Sequence, residues 1–195
     1  MRISGAKAVV EVLKEEGVRH VFHLPGSQII DILDEIFQSP IRAIMTRHEQ
    51  GAAFMADGYA RGIRGPGICL STVGPGAVNL VSGIAASYKA SVPVIAITGV
   101  HEQKILERDS FHEIDQVGVF KPITKWSACV HQAEKIPEML RKAFRTALTG
   151  RKGPVHLAIP SDVSQGESNF ETSEPSKYRA LGGCPTIHDY KKLCY

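Results

Sequence analysis

Residues 46–61 are Thr46-Arg47-His48-Glu49-Gln50-Gly51-Ala52-Ala53-Phe54-Met55-Ala56-Asp57-Gly58-Tyr59-Ala60-Arg61. The residues before them, Ile41-Arg42-Ala43-Ile44-Met45, predict a short buried strand. Six side chains after Glu49 recur at helical spacing: Ala52, Ala53, Met55, Ala56, Tyr59 and Ala60. We therefore expect Glu49 in the first turn of a helix, beyond the carboxyl end of a strand.

That position is where ligands bind in open α/β sheets. A helix N-terminus also stabilises an ionised carboxylate by about 0.3–1 kcal/mol. The alternative is a first-turn glutamate that the helix dipole favours and that has no further role.

The rest of the chain alternates between strand and helix patterns. Six segments predict strands, at 19–23, 41–45, 67–72, 92–98, 126–130 and 155–159. Ser4 is expected to cap a first helix that Gly17 ends, and further helices are expected at 28–37, after Glu49, at 77–88 and at 133–148. Strands separated by helices give right-handed βαβ units. The predicted fold class is α/β, three-layer αβα, with a parallel sheet of about six strands covered on both faces.

Composition narrows the class of protein. The 195 residues suffice for one compact domain plus an appendage, and the net charge of +3 is dispersed without a basic run, which argues against nucleic-acid partners. Four cysteines lack CxxC spacing and eight histidines lack metal-ligand spacing, so reduced thiols and no metal site are expected. Without a signal-peptide core or an apolar run of about 18 residues, we expect a soluble cytoplasmic protein with no membrane partner.

The strand and helix patterns stop after Pro160. We place one domain at residues 1–163 and a linker or arm at 164–195, because the latter stretch is rich in Ser, Glu, Gly and Pro. Residues 189–195 are expected to begin a helix. The chain is therefore interpreted as a piece of a larger protein or as one subunit of a split enzyme.

Several different short motifs follow one another between residue 2 and about residue 165. They are Gly5-Ala6 and Gly17-Val18 before Val21-Phe22-His23-Leu24-Pro25-Gly26, then Arg47-His48-Glu49-Gln50, residues 71–79, 93–99, 111–116 before 121–125, and 150–155 before 159–163. In this order they resemble the pyrimidine-binding (PYR) domain of thiamin-diphosphate-dependent enzymes, specifically the large catalytic subunits of the acetolactate synthase group. The resemblance implies that Glu49 hydrogen-bonds N1′ of the aminopyrimidine ring and relays a proton there, which a Gln could not do.

The same resemblance implies cofactors, substrates and partners. The cofactor is thiamin diphosphate with Mg²⁺, whose metal site is supplied by a domain not in this chain. The reaction is decarboxylation and carboligation of a 2-oxo acid, as when two pyruvates give acetolactate and CO2, and the isolated chain is expected to be inactive. The site is completed by the diphosphate-binding domain of a partner in a homodimer or homotetramer.

Other site residues are assigned by the same resemblance. Pro25 and Gly26 form a turn near the cofactor, or a turn without a ligand. Gly74 and Gly76 are expected where the backbone approaches a ligand closely; they do not form a dinucleotide-binding fingerprint. Asn79 lies beside the pyrimidine or, equally, caps a helix.

Three positions leave the substrate and a second cofactor open. Arg151 matches an arginine that contacts flavin in relatives that carry FAD, so FAD is a candidate cofactor; the alternative is a surface arginine. His23 and His112 replace the Gly and Gln that acetolactate synthases usually have near the reacting centre, so both are candidate substrate contacts. The alternatives are a hydrogen-bonded loop histidine at 23 and a solvent-facing histidine at 112. The alternative functions are another thiamin-diphosphate enzyme, such as a 2-oxo acid decarboxylase or a sulfoacetaldehyde acetyltransferase, and a non-catalytic association or regulatory module.

Overall fold

The computed structural model describes residues 1–178, in which strands and helices alternate. The strands are β1 Arg2–Ser4, β2 His20–His23, β3 Arg42–Met45, β4 Gly67–Ser71, β5 Val94–Val100, β6 Ser127–Cys129, β7 Val155–Pro160 and β8 Glu167–Asn169. The α-helices are α1 Gly5–Glu15, α2 Ile30–Phe37, α3 Glu49–Ile63, α4 Pro75–Asn79, α5 Val81–Ala90, α6 Gln116–Phe120, α7 Ile136–Leu148 and α8 Ser161–Gln165. The helix predicted at 189–195 lies outside the described residues.

A parallel sheet of six strands, in the order β3-β2-β4-β5-β7-β6, forms the middle layer. Successive side chains of a strand point to opposite faces, so each buried strand supplies two cores. Ile95 and Ile97 of β5 pack with α1, α2 and α7, whereas Val94 and Ala96 pack with the layer that contains α3, α4 and α5. The predicted three-layer αβα fold is therefore confirmed.

Local sequence signals explain where the first helix begins and ends. The Ser4 hydroxyl accepts a hydrogen bond from the Lys7 amide at 3.1 Å, which caps α1 as predicted. Gly17 ends it with φ +74, and its amide donates to the Lys14 carbonyl.

Three local predictions are corrected. The strand at 41–45 is not buried, because β3 forms an edge of the sheet and exposes Arg42 and Met45. The helix expected at 77–88 is two helices, α4 and α5, which meet at Leu80. Met55 does not belong to the inner stripe of α3; it is 43% exposed, and the buried stripe consists of Ala52, Ala53, Ala56 and Ala60.

The described part of the predicted arm lies against the domain. The β8 strand pairs antiparallel with β1, forming a separate two-stranded sheet, and Phe170 is buried in the core beside α1 and α7. Further along, the Ser173 amide donates to Glu15. The boundary at 163 stays a prediction. Among residues 1–178, no helix combines the length and the apolar character needed to cross a bilayer.

One buried histidine, His156, links three strands of the sheet through hydrogen bonds. His156 of β7 lies between Thr98 of β5, 2.9 Å from Nε2, and Ser127 of β6, 2.8 Å from Nδ1. Because the Ser127 hydroxyl donates to the Val117 carbonyl, it accepts from Nδ1–H, and Nε2 accepts from Thr98. The ring stacks on Phe120 at 4.1 Å. This arrangement requires a neutral imidazole.

We expect His156 to make stability depend on pH. Burial lowers its pKa from 6.5 to about 3, so between these values the unfolded chain binds a proton that the folded chain does not. The stabilisation is complete above pH 6.5 and is lost as the pH falls, by about 3 kcal/mol between pH 7 and 4.5. Urea unfolding across this range should show a shallower slope for His156→Gln than for wild type, and an unchanged slope for the exposed control His131→Gln. Equal slopes in wild type and His156→Gln would contradict this assignment.

Candidate active site

Glu49 lies where the sequence pattern predicts, as the first residue of α3 and just beyond the carboxyl end of β3. His48 precedes it in an extended conformation and caps the helix, because its Nδ1 accepts from the Gln50 amide at 3.2 Å. Glu49 is only 6% exposed. A carboxylate so buried is stable only where hydrogen bonds or the helix dipole compensate for lost water.

Asn79 supplies one of those hydrogen bonds. Its side-chain Nδ2 donates to Glu49 Oε2 at 2.9 Å. Asn79 is the last residue of α4 and not part of its first turn, so the alternative that it caps this helix does not hold. Of the candidate site residues, Asn79 is thus the one whose side chain hydrogen-bonds Glu49.

Gly76 and Gly26 border the carboxylate. A Cβ on Gly76 would lie 3.1 Å from Glu49 Oε1 and 2.7 Å from the Thr72 methyl carbon, so a side chain there would crowd the space in front of the carboxylate. A Cβ on Gly26 would lie within 2.4–2.8 Å of the Thr72 side chain. The Pro25-Gly26 turn after β2 is therefore packed directly against the loop after β4. These glycines keep the backbone close around Glu49.

Gly74 connects this loop to His112. Its φ of +63 and ψ of −119 are angles of the first central position of a type II′ turn, which favours glycine. A Cβ there would lie 2.0 Å from the His112 carbonyl oxygen. His112 is itself exposed, and its ring stacks on that of Phe111 at 3.7 Å. The structure thus brings His112 to the loop that also contacts Glu49.

His23 and Arg151 are not brought to this group. His23 follows Val21 by two residues along β2, so its ring faces the α1 and α2 layer, where it contacts Phe37, rather than the α3 layer. It is buried, its Nδ1 has no hydrogen-bond partner, and desolvation lowers its pKa. Arg151 precedes β7, so it lies at the amino edge of the sheet, where its Nε donates to Ser91 Oγ at 2.8 Å.

The sequence interpretation missed Thr72, Gln28 and His101. Thr72 Oγ1 donates to Gln28 Oε1 at 2.7 Å, and Gln28 Nε2 lies 3.4 Å from His101 Nδ1. The only sequence signal for them is position, because each follows a strand that ends at this edge of the sheet. A cavity of about 530 Å³ lies under residues 106–117 and is lined by Val100, Ile114 and Cys129 among others. Its lining includes none of Thr72, Gln28 and His101, and neither Glu49 nor Asn79.

Comparison with known proteins identifies similar sequences. The family described as "Thiamine pyrophosphate enzyme, N-terminal TPP binding domain" matches residues 3–119. A probable acetolactate synthase large subunit of Methanocaldococcus jannaschii is 47% identical over 169 residues, which are 87% of this chain and 29% of that protein. An acetolactate synthase of Arthrospira platensis is 43% identical, covering 95% of this chain and 33% of that protein. The acetolactate synthase isozyme 1 large subunit of Escherichia coli K12 is 41% identical, covering 88% and 31%. The chain spans about a third of the length of these relatives.

Proposed function

This chain belongs to the thiamine pyrophosphate enzyme family, as an N-terminal TPP binding domain, and from that premise we propose that it supplies the pyrimidine-binding half of an acetolactate synthase-like site. One observation carries the proposal. A buried carboxylate, Glu49, begins a helix at the carboxyl edge of the sheet, faces a glycine and accepts a hydrogen bond from Asn79. A scaffold without catalysis would have no need of a carboxylate in that place.

The residues fit a flat, polar ring. Gly76 leaves the space before Glu49 Oε1 free of a side chain, and Asn79 holds the other oxygen, so Oε1 is the atom that exchanges a proton with N1′ of the pyrimidine. Bound thiamin diphosphate supplies the electron sink for loss of CO2 from a 2-oxo acid. The chain's own part is to orient the ring, to exclude water around Glu49 and to hold that proton.

The finer assignments are parts of the same proposal. We assign Mg²⁺ and the diphosphate to a domain outside this chain, since hard cations take several oxygen ligands. Among residues 1–178, no group of three or more His, Cys, Asp or Glu is arranged to hold a metal. A contact of Arg151 with FAD rests on sequence position alone. A cytoplasmic location is supported by the free thiols of Cys69 and Cys129.

The activity is tested on the complete enzyme that the proposal implies, meaning this chain together with the domains that its relatives have beyond it. With thiamin diphosphate, Mg²⁺ and pyruvate, we expect release of one CO2 for each acetolactate formed. CO2 with acetaldehyde in its place would favour the alternative of a simple decarboxylase. No turnover of any 2-oxo acid would contradict the proposal.

Self-association through the outer face of α3 is the expected mode of assembly. Phe54 and Met55 are 46% and 43% exposed there, and Val78 of α4 is 42% exposed. The small residues of α5 contribute less to this face, because two of them already pack within the domain. Gly83 already packs on Ala53, where a Cβ would lie 2.5 Å from the Ala53 Cβ, and Ser87 already donates to Asp57.

We expect sedimentation of the chain over a range of concentrations to show a dimer or larger species at micromolar concentration. Phe54→Glu should shift the protein to monomer, because it places a charge in the apolar contact. The control Phe37→Glu alters a residue that is 67% exposed on α2, outside this face, and should leave association unchanged. A strict monomer at high micromolar concentration would contradict the prediction.

The chain alone should bind thiamin diphosphate weakly. The residues around Glu49 bury one ring of the cofactor and leave its diphosphate in water. Burial of this one ring offsets little of the translational and rotational freedom that the cofactor loses on binding. Titration calorimetry with the cofactor and Mg²⁺ should give no heat at micromolar concentrations. Micromolar, metal-dependent binding would mean that the chain carries a diphosphate site of its own.

A further inference from the structure

Residues 166–178 run along α1 from one edge of the sheet to the other, and we call them the strap. The strap begins at the carboxyl edge, just after α8, where the Gly5 amide at the start of α1 donates to the Gly166 carbonyl at 2.8 Å. It ends at Tyr178, whose hydroxyl donates to Glu16 at the other end of α1, shortly before β2 begins. With 11 residues in α1, the strap follows the helix for about 16 Å.

The first half of the strap is held through its backbone. The β8 strand pairs with β1, and the pairing continues one residue further, because the Phe170 amide donates to the Met1 carbonyl at 2.8 Å. The N-terminal amine of Met1 donates in turn to the Phe170 carbonyl at 3.1 Å. This half is therefore tied to the start of the chain.

The second half of the strap is held by side chains around Arg141 of α7. Arg141 Nη2 donates to Glu15 Oε2 at 2.9 Å and to the Glu171 carbonyl at 2.7 Å, and its Nε donates to Glu15 Oε2 at 3.2 Å. The Glu15 carboxylate also accepts from the Ser173 amide at 2.9 Å. One ion pair thus holds the strap backbone at two points, Glu171 and Ser173.

Two aromatic rings of the strap enclose the same guanidinium. The Arg141 guanidinium carbon lies 5.7 Å from the Phe170 ring centroid and 5.8 Å from that of Tyr178, distances at which cations attract aromatic rings. The side chains of Arg141 and Glu15 are only 17% and 12% exposed. Salt screens such a pair less than it screens an exposed one, so the contact is stronger than an ordinary surface ion pair.

We propose that the strap, held by Arg141 and Glu15, is a latch that fixes the point where the chain leaves this domain, at the amino edge of the sheet and away from Glu49. A flexible linker of this length would spread its end over roughly 20 Å. The latch removes that freedom, so any later part of the protein starts from one defined place. This proposal does not depend on the acetolactate synthase-like activity.

The first experiment measures the latch by hydrogen exchange in the 195-residue chain. Exchange of residues 171–178 should be about tenfold faster in Arg141→Met than in wild type, because the charged contacts to the strap are lost. Residues 94–100 of β5 report on unfolding of the whole domain in the same sample. The control Arg145→Met alters an exposed arginine one turn further along α7 and should change neither segment. Unchanged exchange of 171–178 in Arg141→Met would overturn the proposal.

A second variant separates the latch from the stability of the domain. Arg141→Met leaves the Glu15 carboxylate buried without its cation, which can destabilise the whole fold. The double variant with Glu15→Gln and Arg141→Met has no such charge, and its amide oxygen can still accept from Ser173. We expect faster exchange at 171–178 and unchanged exchange in β5. Equal acceleration of both segments in the double variant would contradict a latch confined to the strap.

The second experiment tests whether the exit point is fixed. Spin labels carried by unnatural amino acids at two exposed positions, Lys89 on α5 and Lys177 in the strap, report the distance between the α5 side of the domain and the end of the strap. Electron paramagnetic resonance should give a narrow distance distribution in wild type and a distinctly broader one in the double variant. A broad distribution in wild type would overturn the fixed exit. A narrow distribution in both proteins would show that Arg141 and Glu15 do not hold it.

Discussion

Glu49→Gln should lower the kcat of the complete enzyme by about 10²–10⁴-fold, the usual effect of losing a positioned proton relay. The substituted amide can still accept from Asn79 through its oxygen, so the free energy of unfolding should change little. The amide cannot take up and return a proton at the pyrimidine. Steady-state turnover together with urea unfolding of the same variant separates loss of chemistry from loss of fold.

Asp31→Asn is the matched control. Asp31 lies in the first turn of α2, at the same edge of the sheet, and accepts from Gln165 at 3.0 Å. It interacts with a helix dipole as Glu49 does, but it does not contact the site. We expect kcat to change by less than about twofold in Asp31→Asn, since only a surface interaction of a few tenths of a kcal/mol is altered. Equal losses in the two variants would mean that Glu49 acts only through the dipole.

Gly74→Ala should destabilise the domain by about 3–5 kcal/mol, more than any other single change considered for the site. Two costs add in this variant. Alanine is strained at φ +63 and ψ −119, and its Cβ would lie 2.0 Å from the His112 carbonyl. Relief of the clash would move Phe111 and His112, so catalysis should fall even in molecules that remain folded. Urea unfolding and turnover measure the two effects.

Gly150→Ala tests a side chain at positive φ without a clash. Gly150 has the same φ of +63, but nothing lies within 4 Å of its added Cβ. We expect it to cost about 1–2 kcal/mol, the penalty for positive φ alone. If Gly74→Ala cost no more than Gly150→Ala, the contact between Gly74 and His112 would not restrain the loop.

The sequence predicts this fold well wherever the signal is local. The start of α3 at Glu49, the cap at Ser4 and the end of α1 at Gly17 depend on residues within one turn of each other. The buried β5 strand is recognised because all seven of its residues are sheltered by helices on both faces. The same kind of local signal predicts the position of Glu49, because a strand followed directly by a helix places it at the carboxyl edge of the sheet.

Contacts between distant residues could not be predicted in this way. The β1 and β8 strands are three residues long and exist because they pair with each other across more than 160 residues. The hydrogen bond between Gln28 and His101 spans 73 residues, and nothing near either residue indicates its partner. The sequence pattern places Met55 on the inner side of α3, whereas the structure exposes it. The pattern is ambiguous there because Ala53, Phe54 and Met55 are consecutive apolar residues, which fit more than one helical face.

The roles of His23 and His112 also depend on three-dimensional placement. His23 ends β2 and His112 lies in the loop after β5, both near the carboxyl edge of the sheet. His112 nevertheless touches the 72–76 loop, whereas the His23 ring faces the opposite layer. Which face a residue of β2 occupies follows from the register with β3 and β4. His112 therefore remains the stronger candidate for a contact with substrate.

Deuterium exchange at C2 of bound thiamin diphosphate tests the central claim most directly, because it reports activation of the cofactor without requiring the right substrate. It should be measured in the complete enzyme for wild type, Glu49→Gln and Asp31→Asn. We predict that exchange in Glu49→Gln is slower than in wild type by about 10²–10⁴-fold, while Asp31→Asn matches wild type. Exchange at the wild-type rate in Glu49→Gln would show that Glu49 is not the carboxylate that activates the cofactor.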